Sequence, residues 1–271
     1  MTREVFLGSY IIYRDLIAMI TTGRIFDLVI ILIVFGFTVY FIWRARRGRV
    51  SQLVKLPAVD AFEEGVGRAV EMGRPVHYTT AMVDIGQRTE WVEKVLGYYI
   101  MGYVAQMCAS RRAQLYVSER DALTLGYVKE TLRSAYERAG WPDGFNENMV
   151  LWHPWTTQPF ALANWFQQVK PGANFMMGNL LFGTVIVAEA AALEGAFQIA
   201  YGDTPFLVAT CEYVMIADEY YATSAYITKK PLLVGAITGN DYVKMLLLLV
   251  LIASVALLNL GIKDVLKWLA I

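Results

Sequence analysis

The stretch "FMMGNLLFGTVIVAEAAALEGAFQIAYG", Phe175–Gly202, decides how this chain is read. It is apolar enough for a membrane span, yet it carries Glu189 and Glu194 and is interrupted by Gly178, Gly183 and Gly195. From Leu180 to Ala188 no charge occurs, but a span of about 20 residues would have to take in Glu189. A central charge costs roughly 2.5–3.5 kcal/mol in a bilayer. The alternative is a buried helix between two strands, "ANFMM" before it and "AFQIA" after it. On that reading the glycines allow tight packing between strand and helix. The choice rests on whether other segments already supply the spans.

They do. Residues 25–43, "IFDLVIILIVFGFTVYFIW", and residues 243–260, "VKMLLLLVLIASVALLNL", are long and apolar enough to cross a bilayer. Tyr40 and Trp43 suit an interface, and Lys244 can snorkel from the start of the second run. The whole chain is 56% hydrophobic and only 18% charged, more apolar than soluble domains usually are. Arg44, Arg46, Arg47 and Arg49 cluster directly after the first span. Clustered basic residues stay on the cytoplasmic side and meet anionic headgroups there. The expected topology is two-pass in the cell (inner) membrane, with both termini outside and residues 44–242 cytoplasmic. The bilayer is then the first partner. Residues 1–24 carry no signal-peptide pattern and are expected to form an interfacial amphipathic segment. Residues 44–56 form a basic juxtamembrane linker, and residues 261–271 an interfacial tail.

Residues 57–242 suffice for one domain with its own core. Short β-rich runs alternate with helical patterns. "PVHYTT", "AQLYVS", "MVLWH", "ANFMM", "AFQIA", "FLVAT" and "LLVGAI" read as strands. Residues 90–112, 121–140, 160–170 and 217–227 read as helices, with the quoted stretch supplying another. Alternation of this kind gives an α/β domain with a mostly parallel, Rossmann-like layered sheet. Parallel strands are covered on both faces and read as continuous apolar runs, as these do.

Chemistry is less legible. Glu189, Glu212 and Asp218 sit in apolar surroundings, which would suit a cation site or an interface, but no spacing matches a metal motif. His153 ends the third strand, and ligands bind outside the carboxyl ends of strands in such sheets. Thr79, Thr80, His153 and Gly178 are therefore the candidate ligand residues. "GNLLFGT" and "TTAMVDIG" follow strands, but the first lacks the lysine of a phosphate loop and neither has the close glycines of a dinucleotide fingerprint. No catalytic triad, no catalytic residue and no metal site is read, and no cofactor is named. The segment from Pro57 to Asn240 is net acidic, so nucleic acid is not an expected partner. Cys108 and Cys211 read as buried free thiols.

"LPAVDAFEEGVGRAVEMGRPVHYTT" and "ATCEYVMIADEYYATSAYITKKPLLVGAITGND" resemble an uncharacterised family of prokaryotic membrane proteins, a domain of unknown function. The similarity covers most of residues 55–245 and implies no activity. The leading expectation for function is a membrane-anchored homo-oligomeric scaffold. It is drawn from the double tether, from 16 Tyr and 7 Trp, and from a basic collar opposite an acidic second half. A tethered enzyme or nucleotide or anion sensor at the sheet edge is the alternative, and an accessory subunit of a larger complex is another.

Overall fold

In a computed structural model of the chain, the quoted stretch folds as strand, helix, strand. The structure describes residues 25–49, 55–80, 91–154, 156–178, 183–202 and 204–260. The expected interfacial segments at 1–24 and 261–271, and most of both glycine loops, lie outside the described residues. The chain divides into two compact units, residues 53–229 and the segments on either side of them.

The larger unit opens with α1, Pro57–Glu71, which no strand or helix reading had covered. Its buried positions Ala58, Val59, Phe62, Val66 and Ala69 recur at helical spacing, and Pro57 suits the first turn. Then follow β1 (Val76–Thr80), α2 (Trp91–Ser110), β2 (Leu115–Glu119), α3 (Leu125–Arg138) and β3 (Val150–Trp152). After these come α4 (Gln158–Val169), β4 (Ala173–Met177), α5 (Gly183–Leu193) and β5 (Phe197–Tyr201). The unit closes with α6 (Pro205–Thr210), β6 (Tyr213–Met215) and α7 (Asp218–Thr228).

The six strands form one parallel sheet in the order β3-β2-β1-β4-β5-β6. This is the doubly-wound order, with the direction of winding reversing between β1 and β4. Helices α1, α2, α3 and α7 cover one face, and α4, α5 and α6 the other. The outer strands β3 and β6 are three residues each.

Two strand expectations fail for stated reasons. "FLVAT" is helix α6, because Pro205 fixes φ at the first helical position; the strand is the next run, "YVM". "LLVGAI" belongs to a long helix in the second unit. There α8, Ile25–Arg46, pairs with α9, Pro231–Asn259, which starts twelve residues before the expected span. The two helices run antiparallel: Gly235 lies against Ile42 and Gly239 against Thr38, with a Cβ at Gly235 meeting the Ile42 Cα at 2.5 Å. The Phe41 and Tyr242 rings stack at 4.5 Å. Small residues four apart let backbones approach this closely. Both helices are long and apolar enough to cross a membrane, and only 11% of each apolar window is buried.

Within the sheet, a polar row crosses four strands. His77 Nδ1 meets Asn174 Oδ1 at 2.8 Å and His77 Nε2 meets the Ser118 hydroxyl at 2.7 Å. Asn174 donates to Gln198 Oε1 at 3.0 Å, and Gln198 donates to the carbonyls of Ala188 and Thr210, each at 2.9 Å. Asn174 and Gln198 are register partners, so the row follows from strand alignment. His77, Ser118, Asn174 and Gln198 are all fully buried.

Candidate functional site

Strand order reverses between β1 and β4, and in open α/β sheets ligands bind outside the carboxyl ends of the strands at such a point. Thr79 and Thr80 end β1, and Gly178 follows β4 directly with φ +106°. That backbone conformation is open to glycine and strained for other residues. Three of the four candidate ligand residues therefore meet at the switch point. His153 does not. It follows β3 at the sheet margin, separated from β1 by β2, and its backbone N–H donates to the Glu119 carbonyl at 3.4 Å. Partial burial lowers its pKa.

The pleat sends neighbouring threonines to opposite faces. Thr80 donates to Glu119 Oε2 at 3.0 Å. Glu119 ends β2 and is the hub of a buried network. Its Oε1 accepts from Lys94 Nζ at 2.8 Å and from the backbone N–H groups of Arg120 and Asp121 at 2.8 and 2.9 Å. Its Oε2 also accepts from the Tyr98 hydroxyl at 2.7 Å. Glu119 and Lys94 are both fully buried. Asp121 adds a second carboxylate 3.9 Å from the ammonium. Burial and the Glu119 charge push the Tyr98 phenol far up, so it stays a donor. Buried charges survive only when paired and hydrogen-bonded, and these are. The network ties α2 to the carboxyl ends of β1 and β2.

Thr79 points to the other face, where its hydroxyl is fully buried and, among the described residues, without a hydrogen bond. So are both amide atoms of Gln158, the first residue of α4 on that same face. Buried polar side-chain atoms are mostly satisfied, and each orphan calls for an explanation.

Nearby, α2 is held close to the sheet. A Cβ at Gly97 would meet the Tyr220 hydroxyl at 2.8 Å, and Tyr78 donates to the Gly97 carbonyl at 2.6 Å. Glu93, in the first turn of α2, accepts from the Tyr201 hydroxyl at 3.2 Å, and its backbone carbonyl accepts from Tyr220 at 2.8 Å. Tyr201 and Tyr220 stack at 4.2 Å.

The acids singled out in the sequence are not brought together. Glu189 is exposed on α5, Glu212 lies at the amino edge where it accepts from the Gln198 N–H at 2.6 Å, and Asp218 opens α7. Among the described residues no three His, Cys, Asp or Glu side chains group as metal ligands. Glu194 pairs with Lys170 at 3.2 Å. Two shallow depressions, about 220 and 180 Å³, lie at the amino edge around Arg74 and Arg68; they touch none of the switch-point residues. Cys108 is buried, which pushes its thiol up and out of reactivity.

Sequence reasoning missed Lys94, Tyr98 and Glu119. Their signal was present: Lys94 interrupts an apolar helix and Glu119 terminates an apolar strand, two positions where a charge needs a buried partner.

Neither the curated proteins nor the solved structures contain a match to this chain. A family profile does match, over residues 17–269, and so takes in both long apolar helices and the whole sheet domain. The chain belongs to the family described as a domain of unknown function, DUF6754.

Proposed function

We propose that this protein is a membrane-tethered ligand-binding domain whose site is the crevice at the carboxyl ends of β1 and β4. The observation that carries the reading is the orphaned Thr79 hydroxyl, buried beside the reversal of strand order. An unsatisfied buried hydroxyl costs about 1–3 kcal/mol, and a ligand that bonds to it recovers that cost. Fold alone does not carry function; the orphaned groups are what single out this edge. The test is thermal shift of the purified full chain against a panel of small polar molecules. A binder should lose its shift in Thr79→Val. Val replaces an unpartnered hydroxyl by a methyl, so the unliganded variant should melt slightly higher. A panel without any binder, or a binder indifferent to Thr79→Val, overturns the reading.

The membrane tether rests on α8 and α9. Apolar helices that stay uncovered by protein need another apolar medium. Leu32, Phe35, Leu249 and Ile252 are each more than half exposed. Arg44, Arg46, Arg47 and Arg49, directly beyond the first span, support a cytoplasmic domain with both ends of the chain outside.

A second reading, self-assembly into a homo-oligomeric scaffold, is favoured by one corner of the domain. Leu123 is 85% exposed, and Tyr127 and Trp152 are about half exposed beside it. Leu123 stands in the short turn just before α3 and Tyr127 in the first turn of that helix, and Trp152 Nε1 donates to the Arg120 carbonyl at 2.9 Å. Light scattering in mild detergent decides it: a strictly monomeric particle removes this reading.

A further inference from the structure

We infer that α9 carries a self-complementary seam, headed by Asp241 and Lys244, that docks a second copy of this chain within the bilayer. The inference rests on the membrane-tether reading and is independent of the ligand-binding one.

The register of the two long helices sets the depth of these charges. Gly235 lies against Ile42 and Gly239 against Thr38, so Asp241 is level with Gly36 and Lys244 with Ile33. α9 has 29 residues, about 43 Å of helix against a hydrocarbon core of roughly 30 Å. α8 decides which part of it lies inside. A bilayer set on residues 243–260 alone leaves Phe35, Val39, Tyr40 and Trp43 in water, and these are all about half exposed or more. A bilayer that covers them also takes in Asp241 and Lys244. With Trp43 at the interface, Asp241 lies about 10 Å deeper and Lys244 about 15 Å. The four methylenes of a lysine span less than half of that second distance.

Charges at such depth are rare, and they face protein or a water-filled cavity rather than lipid. Here Asp241 and Lys244 are both exposed. α9 meets α8 through Gly235 and Gly239, and Asp241, two residues past Gly239, is about 200° round the helix from it. It therefore stands on the side turned away from α8. Asp241, Met245, Leu248, Ile252 and Val255 follow one another there at alternating steps of four and three, and the four apolar members are each more than half exposed. That spacing is the seam of a left-handed helix pair.

The occupant follows from the charges. Copies of one chain insert the same way round, so equal residues lie at equal depth. A twofold axis along the bilayer normal sets one stripe against the other, and Asp241 of each copy then comes within reach of Lys244 of the other, one turn deeper. Opposite charges on one stripe complement an identical stripe.

Two differently tagged full chains, co-expressed and solubilised in mild detergent, test this. The wild-type copies should capture each other. Asp241→Lys in both copies, or Lys244→Asp in both, should abolish capture. Asp241→Lys in one copy and Lys244→Asp in the other should restore it, because one copy then offers only lysines at the two positions and the other only aspartates. That rescue also shows both variants to be folded. Wild-type copies that do not capture each other overturn the inference, as does capture indifferent to either single change. Loss without rescue in the mixed pair overturns it too, since the charges are then satisfied within one helix. A chain released from membranes by alkaline carbonate overturns the tether and the inference together; one retained in membranes yet monomeric overturns the inference alone.

Discussion

His77 is a histidine that the fold keeps neutral. Full burial, with Trp165 and Phe166 rings against it, lowers its pKa from 6.5 to about 4, and the bond to Asn174 opposes this only in part. The folded pKa lies below the unfolded one, so the unfolded chain binds the proton first as pH falls. The contribution is complete above pH 6.5 and is lost on acidification toward pH 4. A shift of this size amounts to about 3 kcal/mol. Denaturant unfolding at pH 7 and at pH 4.5 should show the wild type losing about 2 kcal/mol more stability than His77→Gln, most of the full effect. Equal losses would mean that the ring is not desolvated. Only part of this was visible in the sequence. "PVHYTT" places His77 in a strand, but its partners lie 97 and 41 residues away, at positions set by register. Thr79, Thr80 and Gly178 could be found because strand ends are local features. Lys94 and Glu119 could not be paired, because the pairing exists only once α2 lies on β2.

At the scale of elements, glycine separates the two kinds of helix contact. Gly235 in α9 lies against the α8 backbone, and a Cβ there meets Ile42 Cα at 2.5 Å and Ile42 N at 2.8 Å. Backbone cannot move aside as a side-chain tip can. Gly36 in α8 has open space where a side chain would begin, with nothing within 4 Å. Gly235→Ala should therefore cost about 1–3 kcal/mol through overpacking, whereas Gly36→Ala should be neutral or gain up to about 1 kcal/mol from helix propensity. Thermal unfolding in detergent reads both, and a matched response at the two sites would contradict the antiparallel pair. The same segment shows why "LLVGAI" misleads. Its β-branched and apolar residues suit a buried strand, and the four-residue glycine spacing acquires meaning only against a partner helix. "FLVAT" misleads for another reason: six residues with a proline at their start make a helix too short for its period to be read.

Across the whole molecule, two apolar helices paired antiparallel set the ends of both on common sides. Single-cysteine labelling in a Cys211→Ser background tests the orientation, with Cys108 silent because it is fully buried. A membrane-impermeant maleimide should reach Asn259→Cys on intact cells and Arg49→Cys only after lysis. The opposite pattern inverts the topology, and equal labelling of both before lysis removes the two-span reading. The architecture was largely legible, since alternating runs determine an α/β layered domain. Strand order was not, because nothing local distinguishes a chain that turns back at its fourth strand. One consequence lies in the margins of the sheet. β3 and β6 each present three residues, and a rung that short is a poor template for another chain's strand. Copies of this chain brought close together are thereby discouraged from zipping their sheets edge to edge into a continuous ribbon.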